Sequence, residues 1–425
     1  MVDQESNNTG TSSQQSGTPI MTTEIPDFPF KRSPFAPPAQ YAAFRAASPV
    51  ARIRMADGAL GWLITRHDLV RQVLSDSRFS TNPLTPGYPA LTLGRVELLK
   101  AEIPQTFIRM DPPKHGEVRR MFTREFTFAR INEMRPRVEA IVDERLDLLL
   151  ALGEPIDFFA EFAVPFPTTV ISNFLGIPKE DHLFFQQRSR TRVAIDLGPE
   201  APIEAARQMR ARVNEILVER MSGYEDRSDL IGRMLADHVL PGLMTRDEAA
   251  ATLELLMMAG HETTANMLTL GLLSMLLEPA GLGTLAGDEA AIRNAVEEML
   301  RFHSIVQYNG LRVALDDCEV GGVTIRKGEG VLALIAAANR DPDIFPDPDC
   351  FDPSRDATGH VGFSYGPHLC LGAGLARLEM RVAFARLADR FPNMHLAVPV
   401  EELVFRYGSL VHGVDALPVA WSSRA

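Results

Sequence analysis

The chain has 425 residues, 45% hydrophobic and 23% charged, with a formal net charge of −12 at pH 7. That acidic balance excludes a general nucleic-acid binder, which needs a basic surface. Three scattered cysteines exclude a disulfide scaffold and point to the reducing cytoplasm. No stretch has the uninterrupted apolar run of a membrane span.

Residues 1–21 are rich in Ser, Thr, Gln and Gly. They are expected to form a disordered tail without the apolar core of a signal peptide. No Pro/Gly/Ser linker interrupts the remainder, so residues 22–425 are expected to form a single domain despite their length. Val50 to Met55 and Leu60 to Thr65 flank Asp57-Gly58, a strong hairpin signal. A helical stretch follows from His67 to Leu74. Ser80 to Gln105, broken by prolines and glycines, reads as a long loop of the kind that forms lids and binding segments. Helical spacing then runs from Pro112 to Leu240, with breaks near Gly153 and Gly176. Thr245 and Glu248 make a capping box that opens the longest predicted helix, which reaches Glu278 before Pro279. At 1.5 Å per residue it spans roughly 50 Å, and its apolar character on most faces predicts burial through the centre. An amphipathic helix covers Ala291 to Phe302. A β-rich patch covers Leu311 to Ile335, with turns at Gly321-Gly322 and Lys327-Gly328. The fold class is therefore mainly α, with small sheets at both ends of the sequence.

Chemistry concentrates in Phe363-Ser-Tyr-Gly366-Pro367-His368-Leu-Cys370-Leu-Gly372, which leads into a helical pattern from Leu371 to Leu387. A thiolate is stabilised by a metal or by the N–H groups of a helix start. Gly366 and Gly372 leave room for a flat ligand, Phe363 shields the sulfur from water, and His368 faces an anionic group at the ligand's edge. Cys318, Cys350 and Cys370 are too dispersed for zinc, and no C-x-x-C occurs. Haem with an axial cysteine fits. Within the long helix lies Ala259-Gly260-His261-Glu262-Thr263-Thr264. Gly there costs about 1 kcal/mol relative to Ala. A weak point beside an acid and an alcohol suggests a functional opening. Leu255, Ala259 and Thr263 share one face.

The F-x-x-G-x-H-x-C-x-G string closely resembles the haem-binding signature of the cytochrome P450 monooxygenases. Ala259 to Thr263 matches that family's oxygen-activation motif, and Glu298-Met-Leu-Arg301 matches its E-x-x-R pair. The likeness extends from about Pro29 onward; Asp57 to Pro89 and Phe107 to His115 look like soluble, actinomycete-type members. It implies a triangular α prism with small β-sheets that binds haem b through Cys370. Thr263 then hydrogen-bonds the bound dioxygen and Glu262 relays protons, since cleaving the O–O bond requires protons in an otherwise dry pocket. Ala259 lies against the cofactor, and Glu298, Arg301 and Arg355 form a buried support. His115, Arg119, Arg312 and His368 contact the haem propionates. Substrate contacts are implied from Asn82 to Ile108, at Leu255, Met258 and Ala259, from Ile305 to Asn309, and at Leu410 and Val411, with Gln307 and Asn309 orienting a polar handle.

The reaction implied is hydroxylation of a hydrophobic small molecule, a secondary metabolite or xenobiotic, with dioxygen. No flavin or nicotinamide domain fits in the chain, so electrons are expected from a ferredoxin and ferredoxin reductase. Arg120, Arg124, Arg377 and Arg381 are a candidate dock. The protein is expected to be a cytoplasmic monomer. A peroxide-dependent haem enzyme and a non-catalytic haem sensor are the alternatives; neither requires the Glu262–Thr263 pair.

Overall fold

A computed structural model describes residues 24–92, 104–222 and 227–422. The expected tail, residues 1–21, and positions 93–103 of the expected loop lie outside the described residues. The long helix, Arg246–Leu277, organises the rest. Thr245 Oγ1 accepts the Glu248 N–H at 3.2 Å while the Glu248 carboxylate accepts the Thr245 N–H at 2.8 Å, completing the expected capping box. Its 32 residues extend ~48 Å and are buried nearly all round. The helices Pro165–Leu175, His182–Val193, Glu200–Met221, Glu289–His303 and Ala373–Arg390 pack around it. None of the described helices is long and apolar enough to cross a membrane.

The long helix stays continuous through Gly260, contrary to the expected opening. The hydroxyls of Thr263 and Thr264 close onto the carbonyls of Ala259 and Gly260, at 2.6 and 3.0 Å. The space left by the missing Cβ of Gly260 is filled by Ile171. Local weakness is thus offset by hydroxyl back-bonding and packing.

The hairpin forms as expected, Val50–Arg54 against Leu60–Ile64. The two β regions do not form separate sheets, however. Leu60–Ile64 pairs in parallel with Gly330–Ala333, which pairs with Leu311–Ala314 and so reaches Phe79–Ser80. One five-stranded sheet therefore joins both ends of the sequence. Alternation puts Trp62 and Ile64 in one apolar cluster and Ile53 and Leu63 in another. Small two- and three-stranded pairings gather the C-terminal segment, including Phe405–Arg406 with Gly413–Val414.

A buried ion pair holds the segment leading to Cys370. Arg301 donates to Glu298 at 2.7 and 2.8 Å, and both side chains are fully buried. Arg355 joins Glu298 at 3.3 Å. The remaining donors of Arg301 reach the carbonyls of Asn339, Pro348 and Cys350. Asn339 then accepts the Val361 N–H at 2.7 Å and donates to Ser304 at 2.8 Å. Val361 accepts in turn from Ser364, inside the cysteine loop. The three residues occupy the supporting positions the sequence assigned to them. Arg301→Leu, which leaves a buried carboxylate unpaired, is expected to cost about 3–5 kcal/mol. Arg301→Lys should recover little, because a single ammonium cannot reproduce the fork of bonds. Urea unfolding followed by circular dichroism checks both; an unchanged midpoint for the leucine variant would contradict this account.

Candidate functional site

Cys370 sits at the end of a tight loop. Its N–H donates to Phe363 O at 2.8 Å, Leu369 donates to Gly366 O at 3.0 Å, and the helix Ala373–Arg390 begins just beyond. Gly366 has φ +71°, and a Cβ there would lie 2.9 Å from Leu74 O. The glycine is thus required by contact with the helix His67–Ser75. Gly372 differs: no atom lies within 4 Å of where its Cβ would stand. The Phe363 ring lies 4.6 Å from the Arg377 guanidinium and is linked to Cys370 through backbone.

Cys370 is exposed as a residue, yet its thiol is closely surrounded by protein. Burial pushes its pKa up, against the opposing pull of the Gly372 N–H, Arg119, Arg377 and the Ala373 N–H. Such a thiol keeps its proton at neutral pH and is no ready nucleophile; a metal ion taking the sulfur displaces that proton. Among the described residues no three His, Cys, Asp or Glu side chains converge on a metal-sized site. A metal here therefore needs donors from a cofactor. Farther along the same helix Glu379 is 1% exposed, and burial raises its carboxyl well above the usual range.

Beside the sulfur is a concentration of cations. The His115 and His368 rings stack at 4.1 Å. Arg312 is 5% exposed and donates to its own neighbour, Leu311 O, at 2.8 Å. Arg119 donates to Leu369 O at 2.5 Å, which ties it to the cysteine loop. Arg109, missed from sequence, joins them, reaching Tyr88 at 3.0 Å. His115 Nε2 is buried without a hydrogen-bond partner. The acid facing His115 and Arg312 is Asp111, already held by Ser80 and Thr81. Burial, then Arg312, His115, Arg119 and Arg109, lower the His368 pKa from 6.5 to about 3. A cluster this short of counter-charge fits a ligand carrying anionic arms.

On the long helix, Ala259 and Thr263 are open while Leu255 and Met258 line a cavity with Thr106, Ile108 and Leu410. Glu262 is 4% exposed. Its Oε1 accepts Asn266 Nδ2 at 3.2 Å and Arg406 Nη1 at 3.4 Å. Nothing near Glu262 in the sequence could have revealed Arg406, which reaches it from a C-terminal strand.

Other expectations need correction. Gln307 is not free to orient a ligand, because its amide donates to Ser409 O at 2.7 Å. Asn309 is exposed on a turn. Ile305 and Val411 are buried in adjoining backbone pairings and belong to the main core, with no part in the cavity lined by Leu410. Arg377 and Arg381 do not form an open basic dock: both converge on Glu297, at 2.7 and 3.0 Å. Burial opposes the Glu297 charge, yet His360 and Arg377 hold its pKa below the usual carboxylate range.

One soft sulfur donor, a group of cations seeking anions, and a small-residue helix face together fit a metallotetrapyrrole with acidic side arms, as in haem-thiolate proteins. The Cytochrome P450 family model matches residues 291–396. The chain is 41% identical over 406 residues to the vitamin D3 dihydroxylase of Streptomyces griseolus, covering 95% of this chain and 99% of that one. It is 42% identical over 389 residues to the 20-oxo-5-O-mycaminosyltylactone 23-monooxygenase of Streptomyces fradiae, covering 91% and 90%. The crystal structure of cytochrome P450 MoxA from Nonomuraea recticatena superposes with a TM-score of 0.86 at 36% identity, covering 94% and 99%. The chain belongs to the cytochrome P450 family, whose members bind haem b. It is a monooxygenase that acts on a small molecule with dioxygen and electrons from redox partners.

Because the folded state keeps His368 neutral, the unfolded chain binds more protons below its ordinary pKa. Stability without haem should therefore fall as pH drops from 6.5 towards about 3. His412, lowered to about 3 by burial and then Arg32, contributes over the same window. His368→Gln should flatten the acid side of the profile without abolishing it. Acid unfolding of haem-free protein followed by circular dichroism checks this; superimposable curves would refute it.

Proposed function

We propose that this P450 hydroxylates a hydrophobic small molecule of the secondary-metabolite or xenobiotic kind, with Cys370 as the haem ligand and a ferredoxin and its reductase as electron source. The observation carrying this reading is the single sulfur just before a helix start, beside the stacked His115 and His368 rings and the buried Arg312. Haem, when bound, supplies the oxidising chemistry, in which one oxygen atom enters a C–H bond and the other leaves as water. His115, Arg312 and His368 hold its acidic arms, with Arg109 alongside. Arg119 braces Leu369 and favours the thiolate.

Thr263 stands on the open face beside Ala259. Its hydroxyl, now donated to Ala259 O, rotates to donate into the cavity. Glu262, held by Arg406 and Asn266, supplies protons from the adjoining face of the helix. Leu255, Met258, Leu410 and Ile108 give the substrate one apolar wall, and Arg109, Arg192, Arg210 and Glu254 line the rest of the same cavity. Relatives named for vitamin D3 and for 20-oxo-5-O-mycaminosyltylactone support a substrate of mixed apolar and oxygenated character. The three cysteines, all free thiols, suit a reducing cytoplasm.

For the ferredoxin, support rests on Arg120 and Arg124, which follow Arg119 and make no ion pair among the described residues. Phe128, 88% exposed, lies just beyond them. An acidic partner would be steered by these charges. Arg124→Glu should raise the ferredoxin concentration needed for half-maximal turnover severalfold, and added salt should shrink the difference. Unchanged dependence would remove Arg124 from the dock.

Two variants test the site. Cys370→His should move the ferrous carbon monoxide Soret band to the histidine-haem position; no movement would refute thiolate ligation. Thr263→Ala should keep haem and substrate binding but divert reducing equivalents to peroxide. Wild-type product yield per NAD(P)H consumed would count against the relay.

A further inference from the structure

His261 occupies the position of the helix motif to which no role has been given. Its side chain is fully buried, and Nδ1 lies 3.1 Å from the carbonyl of Met257. A carbonyl oxygen only accepts, so Nδ1 carries the hydrogen. The neutral ring then presents a lone pair at Nε2, which has no hydrogen-bond partner. Facing it at 3.8 Å is Glu262 Oε2. The other oxygen of that carboxylate already receives Asn266 and Arg406. Two acceptors therefore face each other in a dry interior, and one proton on the line between them satisfies both atoms.

We propose that His261 and Glu262 share such a proton, and that His261 is the store from which Glu262 is recharged. This rests on the relay assigned to Glu262 and Thr263 above. The charged and polar groups facing the pair come from three elements. Met257 and Asn266 lie on the same helix, and Arg406 on the C-terminal strand, itself 3.8 Å from Asp415. Phe159 lies under the Arg406 guanidinium at 4.9 Å. Arg406 faces the Glu262 carboxylate at 3.4 Å, and in this proposal the shared proton stands at Nε2 until it is drawn to Oε2.

The step is a proton transfer. The Nε2–H bond of His261 breaks and an O–H bond forms at Glu262 Oε2. The carboxylic acid, no longer attracted to Arg406, turns and passes the proton towards Thr263. Imidazole returns to its lone-pair form and takes a proton from solvent. Each dioxygen requires two electrons from the redox partner and two protons, so the pair is reloaded between them. The 3.8 Å gap closes by a small side-chain rotation as the proton moves.

The test uses the holoenzyme as its ferrous carbon monoxide complex, which is diamagnetic, labelled with 15N-histidine. The His261 signals are assigned by their loss in His261→Gln. At neutral pH they should show both ring nitrogens protonated, and in Glu262→Gln they should move to the neutral Nδ1–H form. A ring already neutral in the native protein, and unmoved by Glu262→Gln across about pH 6 to 9, overturns the proposal. In turnover, His261→Gln should lower product formed per NAD(P)H by about tenfold or more, with the substrate-induced spin shift unchanged. Coupling of the native enzyme should fall at high pH, and His261→Gln should not show that fall. Native coupling in His261→Phe overturns the proposal as well. Failure of the relay itself reads out separately, as native coupling in Thr263→Ala.

Discussion

The position of the sulfur depends on a pair of charges that have no contact with water. Burying Glu298 and Arg301 is costly unless every donor and acceptor finds a partner, and here the guanidinium is fully used. It binds its carboxylate and the carbonyls of Asn339, Pro348 and Cys350. The pair therefore acts as a clamp on three separate backbone segments. Through the Asn339 amide that clamp passes to Val361, then to Ser364. A helix far upstream in the sequence thus sets where Cys370 stands relative to the long central helix.

The site has two electrostatic regimes. At the cysteine side, arginines gather around neutral histidines with few acids, so the arginine charge is open to an incoming anion. On the far side of the central helix, Glu262 is matched by Arg406 and Asn266, so the protein completes that cluster itself. The first arrangement recruits a charged ligand; the second holds a carboxylate in a fixed position away from bulk water. The first is drawn from the helix Lys114–Thr123, the strand Leu311–Ala314 and the cysteine loop, the second from the central helix and the C-terminal strand.

What could be read from sequence was what is local along the chain. The capping box at Thr245, the hairpin at Gly58, the breaks at Gly153 and Gly176 and the pair at Glu298 and Arg301 all depend on neighbours within a few residues. The cysteine loop was legible because its glycines, proline and cysteine lie in one short string. The parallel pairing of Leu60–Ile64 with Gly330–Ala333 was not, since no local pattern encodes a partner so far away. Arg406 was missed for the same reason, as was the capture of Arg377 and Arg381 by Glu297 from another helix. For Gly366 the sequence pointed to a ligand, while the constraint set by the backbone of Leu74 and Ser75 comes from a distant helix and was not legible. The expected opening at Gly260 failed because propensity counted the glycine and not the threonine hydroxyls that close over the exposed carbonyls.

The neutral state of Glu379 has a consequence for electron transfer. This acid lies inside the helix that starts beside Cys370, and burial keeps its proton in place. A fixed negative charge near a metal makes reduction harder, since the incoming electron must be accommodated against it. By remaining uncharged, Glu379 adds no buried negative charge to the helix that begins just beyond Cys370.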